Sequence, residues 1–430
     1  MGCEATSHNA TAPSPAVAPG GDGVPAAQDI DPRRAAARLL ERHAGAAVDP
    51  RVTELVPGFD APFYQAGLAG YSDAAMRLIA RRHGCPFCVT EALLDRTLLA
   101  GGRGFAKADL GDIDDNVPGG ADDHPLAGQI MGSEPAEMAA AAIKMIEQGS
   151  RADKEYRRLA REGESPASVV PSPLRPVASF SAIDVNLACP VKKIARKARG
   201  GHWLAAPDGA IAILEAVREA VPAGIPVTVK MRRAFDDTPE MIEGFFRIFD
   251  AAYDMGCAWV TVHARTVRQK YVGPSRWDLL REIARREHPG RVRDRLVFGS
   301  GDVWTAGDVF RMIDYAGVAG ASVARGCIGN PWIFRQCREI LDGREPSAPS
   351  IDEQRRVLED HFELALAVNG RLRDPQLHTG KTMRKFAIRF AEHHPESETV
   401  RRRFIGVNGL DSWRAVLDEH YETGTRCVAS

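Results

Sequence analysis

The sequence lacks the features that mark several large classes of protein. It has no run of about 18 consecutive apolar residues, the usual minimum for a membrane-spanning helix, so we expect no association with a membrane. Its formal net charge is −1, so no global positive field indicates nucleic-acid binding. Any surface for nucleic acid would therefore have to come from local basic patches.

Cysteine patterns typical of disulfide frameworks and zinc sites are also missing. The eight cysteines are scattered, and Cys85 and Cys88 form the one pair with CxxC spacing. A zinc site of this kind would need a second pair, so we expect no metal. The N-terminal stretch lacks the pattern of a secretory signal. Together these features predict a protein of the reducing cytoplasm.

The first part of the chain reads as an extension of a larger core. Residues 1–30 are rich in alanine, proline, glycine and serine without periodicity, which is typical of disorder. Residues 31–44 begin with an aspartate followed by a proline, which predicts a short helix. We therefore expect residues 1–50 to be an N-terminal extension, disordered apart from this helix.

Between residues 58 and 343 the pattern alternates between strands and helices. Eight strands are predicted, at residues 62–66, 87–91, 125–131, 179–187, 226–231, 258–263, 296–299 and 319–324. Eight β/α units in succession predict a parallel sheet closed into a (β/α)8 TIM barrel, an α/β fold. Insertions near residues 102–123 and 150–176 exceed what a minimal barrel needs, and such connections are either functional or disordered.

Residues 350–425 contain helical patterns without strands, which predicts a small all-helical domain. Lys381, Lys385 and Arg389 are spaced four residues apart and would form one basic stripe on a helix, with Arg384 beside it. Such a stripe is either an ordinary solvated helix face or a surface for the phosphate backbone of a nucleic acid. The sequence leaves both interpretations open.

Cys189 stands where the fourth predicted strand ends. Pro190 cannot lie inside a central strand, so the strand stops at the cysteine, in the position where barrel enzymes carry reactive groups. The alternative is a buried structural cysteine. The basic residues that follow argue against a core position: Lys192, Lys193, Arg196, Lys197 and Arg199.

The other strand ends carry polar residues as well. Gln129, Asn186, Lys230 and His263 lie at the ends of four consecutive predicted strands, and Arg265 follows two residues later. This pattern is hard to ascribe to packing. Taken singly, the lysine could extend its amine to solvent and the histidine could be a satisfied core residue.

The loops after the last two strands resemble a phosphate cradle. Glycine in such loops lets backbone N–H groups approach phosphate oxygens, and an arginine supplies a fork of donors. Two ordinary tight turns are the alternative. The candidate residues are Ser300, Gly301, Asp302, Arg325 and Gly326. A ligand with one phosphate and a flat body across the barrel mouth would be FMN, with Lys230 at its pyrimidine edge.

These strand ends together resemble the tRNA-dihydrouridine synthases, and bacterial members in particular. The similarity runs from about residue 61 to the C-terminus. The motifs that carry it are GLAGYSDAAMR, QIMGSEP, NLACPVKK, PVTVKMR, TVHARTVRQKY, GSGDV and RGCIGNPWIF. Ala188 and Ser300 stand where the family usually has glycine and asparagine.

The resemblance implies an oxidoreductase that binds FMN, is reduced by NADPH and acts on tRNA, as a monomer. Cys189 would be the acid that protonates C5 of a uracil. The residues expected at the flavin are Gln129, Lys230, His263, Ser300, Gly301, Asp302, Arg325 and Gly326. Those expected at the RNA substrate are Asn186, Arg265, Lys192, Lys193, Arg384 and Lys385.

Two other functions fit parts of the sequence. One is a small-molecule flavin reductase on the same barrel, which would have no use for a basic helical tail. The other is an RNA-binding protein with an idle barrel, which would be colourless. The cations that follow Cys189 would lower the pKa of its thiol and oppose an acid role, so we expect them to point at RNA phosphates.

Overall fold

The computed structural model describes residues 26–100, 121–149, 180–191, 200–286, 295–370 and 373–422. Its nine strands are β1 (Phe63–Gln65), β2 (Cys88–Val89), β3 (Leu93–Leu94), β4 (Leu126–Met131), β5 (Ala182–Leu187), β6 (Val227–Arg232), β7 (Trp259–His263), β8 (Val297–Ser300) and β9 (Gly320–Val323). The predicted insertions and residues 1–25 lie largely outside the described residues, as do Lys192 and Lys193.

Eight of these strands close into a parallel barrel, which confirms the predicted fold class. All strands except β3 form the ring: each pairs with the next one in the chain, β2 pairs directly with β4, and β1 pairs with β9 to complete the ring. The short β3 pairs with the end of β4 and so extends the line of β2 after an interruption at residues 90–92. The strands are nearly continuous apolar runs, as expected where helices cover the outside and side chains fill the inside.

Within the described ranges, fourteen α-helices accompany the strands. They are α1 (Pro32–Arg42), α2 (Pro50–Leu55), α3 (Ala74–Arg82), α4 (Asp95–Ala100), α5 (Pro135–Gly149), α6 (Pro207–Ala220), α7 (Pro239–Asp254), α8 (Trp277–Arg285), α9 (Ala306–Ala316), α10 (Trp332–Leu341), α11 (Ile351–Val368), α12 (Pro375–Phe390), α13 (Ser397–Ile405) and α14 (Leu410–His420). Among the described residues, no helix has the length and apolar character needed to cross a membrane.

The amino-terminal end of the barrel is filled by the segment that contains α2. Val52, Val56 and Phe59 are fully buried there, and the Phe59 ring stacks on Phe87 with centroids 4.8 Å apart. Trp259 at the start of β7 completes this aromatic cluster. Apolar packing therefore occupies this end, and a ligand would have to enter from the carboxyl ends of the strands.

The helices after residue 350 pack against the barrel through α3 and α11. The sequence predicted that α12 begins at Gly380, which is wrong, because Asp374 caps the helix and a proline occupies its first position. Gly380 is instead buried within α12. A Cβ there would lie 2.5 Å from the Gly409 backbone nitrogen, so glycine permits the close approach of α12 to the start of α14.

Candidate active site

The end of β5 presents Cys189 on a loop that the protein holds at several points. The Asn186 Oδ1 atom accepts hydrogen bonds from the backbone N–H groups of Ala188 and Cys189, at 2.9 and 3.2 Å. The Cys189 carbonyl accepts from Gly201 at 3.0 Å. Arg232 donates from Nε to the Ala188 carbonyl at 3.0 Å. The backbone of the cysteine is therefore fixed, and its side chain is half-buried.

The structure favours the neutral form of the Cys189 thiol. Burial raises the pKa of the thiol, and the opposing effect of the Arg232 guanidinium is smaller. A raised pKa means that the thiol carries its proton at neutral pH. The lowering by nearby cations that the sequence suggested does not dominate among the described residues. Lys192 and Lys193 lie outside them.

A continuous set of hydrogen bonds lies beneath the cysteine. Gln129 donates from Nε2 to Asp184 Oδ2 at 2.7 Å, and its Oε1 accepts from Asn186 Nδ2 at 2.7 Å. Asp184 Oδ1 accepts from the Thr228 hydroxyl at 2.6 Å. Burial raises the pKa of the Asp184 carboxyl, against the hydrogen bonds from Thr228 and Gln129. The structure therefore joins Gln129, which was predicted at the flavin, to Asn186, which was predicted at the substrate, and adds Asp184 and Thr228 as partners.

Lys230 and His263 lie beside this set on β6 and β7, both half-buried. Burial lowers the pKa of the Lys230 amine to about 8. Burial, together with Arg232 and Lys230, lowers the pKa of the His263 imidazole well below its usual value. His263 Nδ1 faces the backbone N–H of Arg265 at 3.2 Å, so the neutral ring carries its proton on Nε2. His263 can therefore donate one hydrogen bond to a ligand.

Asp302 joins the loops after β7, β8 and β9. Its carboxylate accepts from Arg265 Nη2 at 2.6 Å and from the Ser275 backbone N–H at 2.8 Å, and Arg325 lies 3.5 Å away. Asp302 has a positive φ of 54°. The carboxylate thus holds the two arginines in place, and the structure puts Arg265 with the predicted phosphate loops.

Buried polar groups without partners cluster around these loops. Ser300 Oγ, Ser275 Oγ and Arg265 Nη1 have no hydrogen-bond partner among the described residues. Gly301 has a φ of 107°, and a Cβ there would lie 2.3 Å from Ser275 Oγ. A Cβ on Gly326 would lie 2.3 Å from the Val303 carbonyl oxygen. Unpaired buried polar groups are costly, so a polar ligand at these loops would stabilise the three atoms by supplying their partners.

The basic tail residues are placed differently from one another. Lys385 donates from Nζ to the Gly70 carbonyl in the loop after β1 and lies 4.7 Å from the centre of the Tyr71 ring. Arg384 Nη1 lies 3.5 Å from the Ile405 carbonyl, and Arg389 pairs with Glu392 at 2.8 Å. Of the predicted stripe, Lys381 and Arg389 are exposed, whereas Lys385 is half-buried against the barrel mouth.

Sequence reasoning missed Asp184 and Arg232. Asp184 precedes Asn186 by two residues and Arg232 follows Lys230 by two, so each shares a sheet face with a predicted site residue. That period of two was a usable signal. Arg232 also donates to the carbonyls of Thr266 and Lys270, at 2.8 and 2.7 Å, which ties the loop after β7 to the loop that carries the cysteine.

Comparison with known families decides the classification. The family model described as "Dihydrouridine synthase (Dus)" matches residues 163–422, more than half of the chain and all of the site on β5 to β9. The chain belongs to the dihydrouridine synthase family. Similar proteins are named as tRNA-dihydrouridine synthases, which agrees with the resemblance found in the sequence.

Individual relatives are bacterial. The chain is 30 % identical over 280 residues to a probable tRNA-dihydrouridine synthase of Treponema pallidum, covering 64 % of this chain and 70 % of the relative. A Mycobacterium tuberculosis relative of the same description is 32 % identical over 243 residues, 55 % of this chain and 58 % of its own length. Among solved structures, histamine dehydrogenase from Rhizobium sp. 4-9 matches with 13 % sequence identity and a TM-score of 0.42. The match covers 71 % of this chain and 49 % of that one.

Proposed function

We propose that this protein is an FMN-dependent, NADPH-reduced tRNA-dihydrouridine synthase, which saturates the C5=C6 bond of a uridine. The observation that carries the proposal is a neutral, half-buried thiol on a fixed loop at the barrel mouth of a dihydrouridine synthase family member. The reaction adds one hydride and one proton across the bond, so it needs a hydride source and an acid.

The residues at the mouth fit a flavin mononucleotide. Ser300 Oγ, Ser275 Oγ and Arg265 Nη1 are buried polar atoms without partners in the described part of the chain. Gly301 lets the loop after β8 approach Ser275, since a Cβ there would lie 2.3 Å from Ser275 Oγ. Arg325 and Gly326 would meet the phosphate, and Gln129, Lys230 and His263 would meet the ring. When bound, FMN supplies the hydride for C6 of the uracil.

Cys189 is the proposed acid. Protonation of carbon requires a group that still holds its proton at neutral pH and can reach C5, and burial keeps this thiol protonated. The loop contacts of Asn186 and Arg232 fix where the sulfur begins its approach. After the transfer, the thiolate is stabilised by the Arg232 guanidinium, which favours the charged sulfur.

Binding of tRNA is the remaining part of the proposal. A uridine has to leave its stack to reach the barrel mouth, as in other enzymes that act on a base. Asn186 is the proposed contact within the mouth, and Lys192 and Lys193 follow the cysteine along the chain. Arg265, which the sequence assigned to the RNA, pairs with Asp302 beside the phosphate loops and is better placed for the flavin. In the tail, the exposed Lys381 and Arg389 are better placed for phosphates than Lys385, whose amine is engaged by the barrel. We propose a cytoplasmic monomer.

Mass spectrometry of tRNA tests the proposal. Cellular tRNA from strains with and without the gene is digested to nucleosides, and purified protein with NADPH is incubated with the tRNA of the deletion strain. We expect dihydrouridine at one or more positions to disappear with the gene and to return with the yellow protein. A colourless protein that binds tRNA, or a yellow protein that reduces small enones and leaves tRNA unchanged, would contradict the proposal.

A further inference from the structure

The side chains beneath Cys189 form a relay of hydrogen bonds with a defined direction. The relay consists of Thr228, Asp184, Gln129 and Asn186, linked by contacts of 2.6 to 2.7 Å. It ends on the backbone N–H groups of Ala188 and Cys189. Gln129 is 1 % exposed and Asp184 is 5 % exposed, so water does not compete for these contacts.

The direction of the relay follows from the chemistry of Asp184, its acidic member. An ionised carboxylate only accepts hydrogen bonds, whereas an amide has one donating and one accepting end. Asp184 therefore makes Gln129 present its NH2 group, which leaves the Gln129 oxygen facing Asn186. Asn186 must then donate from Nδ2, and its Oδ1 atom is left to accept from the loop.

We propose that Asp184 is a positioning residue, which orients Gln129 and Asn186 and through them holds the backbone of Cys189. If the relay ran the other way, Asn186 would present its NH2 group to the backbone N–H groups of Ala188 and Cys189, and donor would face donor. The role of the loop in proton transfer rests on the proposed function. The hold that Asp184 has on the loop does not, and it can be measured without catalysis.

An exchange of groups at the two ends of the relay tests this proposal. In Asn186→Asp, a carboxylate lies on each side of the Gln129 amide, and a carboxylate only accepts hydrogen bonds. The Gln129 NH2 group can donate to one of them, and the Gln129 oxygen then faces the other without a donor. In the double variant Asp184→Asn/Asn186→Asp, the new amide at position 184 can donate to the Gln129 oxygen. The Gln129 NH2 group can then donate to the new carboxylate, which still accepts from the loop. The double variant has the same charge as the natural protein.

The readout is the alkylation of Cys189 in the full-length protein by iodoacetamide, followed by mass spectrometry of the peptide that contains it. Recorded against pH, the plateau of the rate reports access to the sulfur and the midpoint reports its pKa. We expect Asn186→Asp to raise the plateau at least about fivefold, as for the loss of one neutral hydrogen bond. The double variant should return to within about twofold of the natural protein, because the pair is coupled.

Thr228→Val is the matched control. It removes the other donor to Asp184, at 2.6 Å, and leaves the direction of the relay unchanged, so its plateau should stay within about twofold of the natural protein. If Asn186→Asp does not fold, folding of the double variant with a normal plateau supports the proposal equally. A double variant as reactive as the single one, or unfolded like it, would overturn the proposal.

The result is separable from the proposed function. If Cys189→Ala still forms dihydrouridine while the exchange restores the plateau, the acid assignment fails and the relay stands. If Cys189 proves essential but the exchange gives no restoration, the relay fails and the acid assignment stands.

Discussion

At the scale of single residues, Cys189 combines a fixed backbone with a thiol that burial keeps protonated. We expect Cys189→Ala to keep the flavin and to lose dihydrouridine formation by about 10²- to 10⁴-fold, the usual contribution of a positioned acid. Flavin absorbance and quantification of dihydrouridine in tRNA measure the two effects separately. An unchanged yield of product would show that another group donates the proton.

Gly301 permits a backbone conformation that a side chain would oppose. Its φ is 107°, and a Cβ would lie 2.3 Å from Ser275 Oγ, so Gly301→Ala should cost about 1–3 kcal/mol of local stability and weaken flavin retention. The ratio of flavin to protein after gel filtration measures this. Gly224→Ala is the control, because a Cβ there meets nothing within 4 Å. Equal flavin content in both variants would contradict the prediction.

Sequence patterns identified some of the residues at the barrel mouth and missed others. The positions of Gln129, Lys230 and His263 at the mouth followed from the rule that barrel chemistry lies at the carboxyl ends of strands. The role of Arg232 was missed because β6 was predicted to end at residue 231, one residue too early. The place of Asp302 among arginines depends on three loops that are far apart in the sequence, and no local pattern reports it.

At the scale of elements, Lys385 joins α12 to the loop after β1 through the Gly70 carbonyl. Lys385→Met removes the donor to Gly70 and the ammonium that lies 4.7 Å from the centre of the Tyr71 ring, so the loop should open more often, by about 1 kcal/mol. Hydrogen exchange of residues 67–73 measures this opening. The exposed Lys381 lies one turn earlier on α12, and Lys381→Met should leave the exchange unchanged. Equal hydrogen exchange of residues 67–73 in both variants would show that Lys385 does not hold this loop.

The interface between α11 and α12 contains a histidine that is sensitive to acid. His361 is 2 % exposed, packs 4.6 Å from the Phe386 ring, and has no hydrogen-bond partner among the described residues. Burial lowers the pKa of its imidazole to about 3. Below an unfolded pKa of about 6.5, the unfolded chain binds the proton and the folded protein does not. Its contribution to stability is therefore full above that pH and is lost as the pH falls.

We expect the free energy of unfolding to fall by up to about 1.4 kcal/mol per pH unit below pH 6.5 because of this one group. In His361→Leu that slope should be reduced by about the same amount. Urea titrations at several pH values give the comparison, with His378→Leu on the exposed face of α12 as the control. Equal slopes for the natural protein and His361→Leu would show that other groups govern its acid sensitivity.

Element boundaries were predicted well where a strong local signal exists. The strand formers of β5 and β7 gave ends at residues 187 and 263, as observed, although β5 starts three residues later than predicted. The start of α12 was misjudged because Gly380 was taken for a boundary, although a tertiary contact with Gly409 is what requires it. The short α2 was not predicted, since six residues are too few to show a periodicity.

At the scale of the whole molecule, binding of tRNA should depend on local basic patches, because a formal net charge of −1 gives no global positive field. Lys381→Glu with Arg389→Glu should weaken tRNA binding and reduce the dependence of the binding constant on salt by about one unit of slope per lost phosphate contact. Flavin absorbance should stay constant. Affinity measurements across a salt series test this.

Arg33→Glu with Arg247→Glu, on the barrel-side helices α1 and α7, is the control for overall charge, since both arginines are exposed to solvent and paired with a carboxylate. It should leave the salt dependence close to that of the natural protein. Equal salt slopes for the tail variant and the natural protein would show that the stripe on α12 is ordinary solvated surface.

The segment around Val52 and Phe59 has a practical meaning for anyone who shortens this protein. It comes before GLAGYSDAAMR, the first of the motifs that carry the family resemblance. Yet its side chains fill the amino-terminal end of the barrel. A version that starts at β1 would expose Phe87 and Trp259 to water at that end. Such a truncated protein should aggregate or admit water to the barrel interior, even if the loops at the carboxyl ends of the strands are intact.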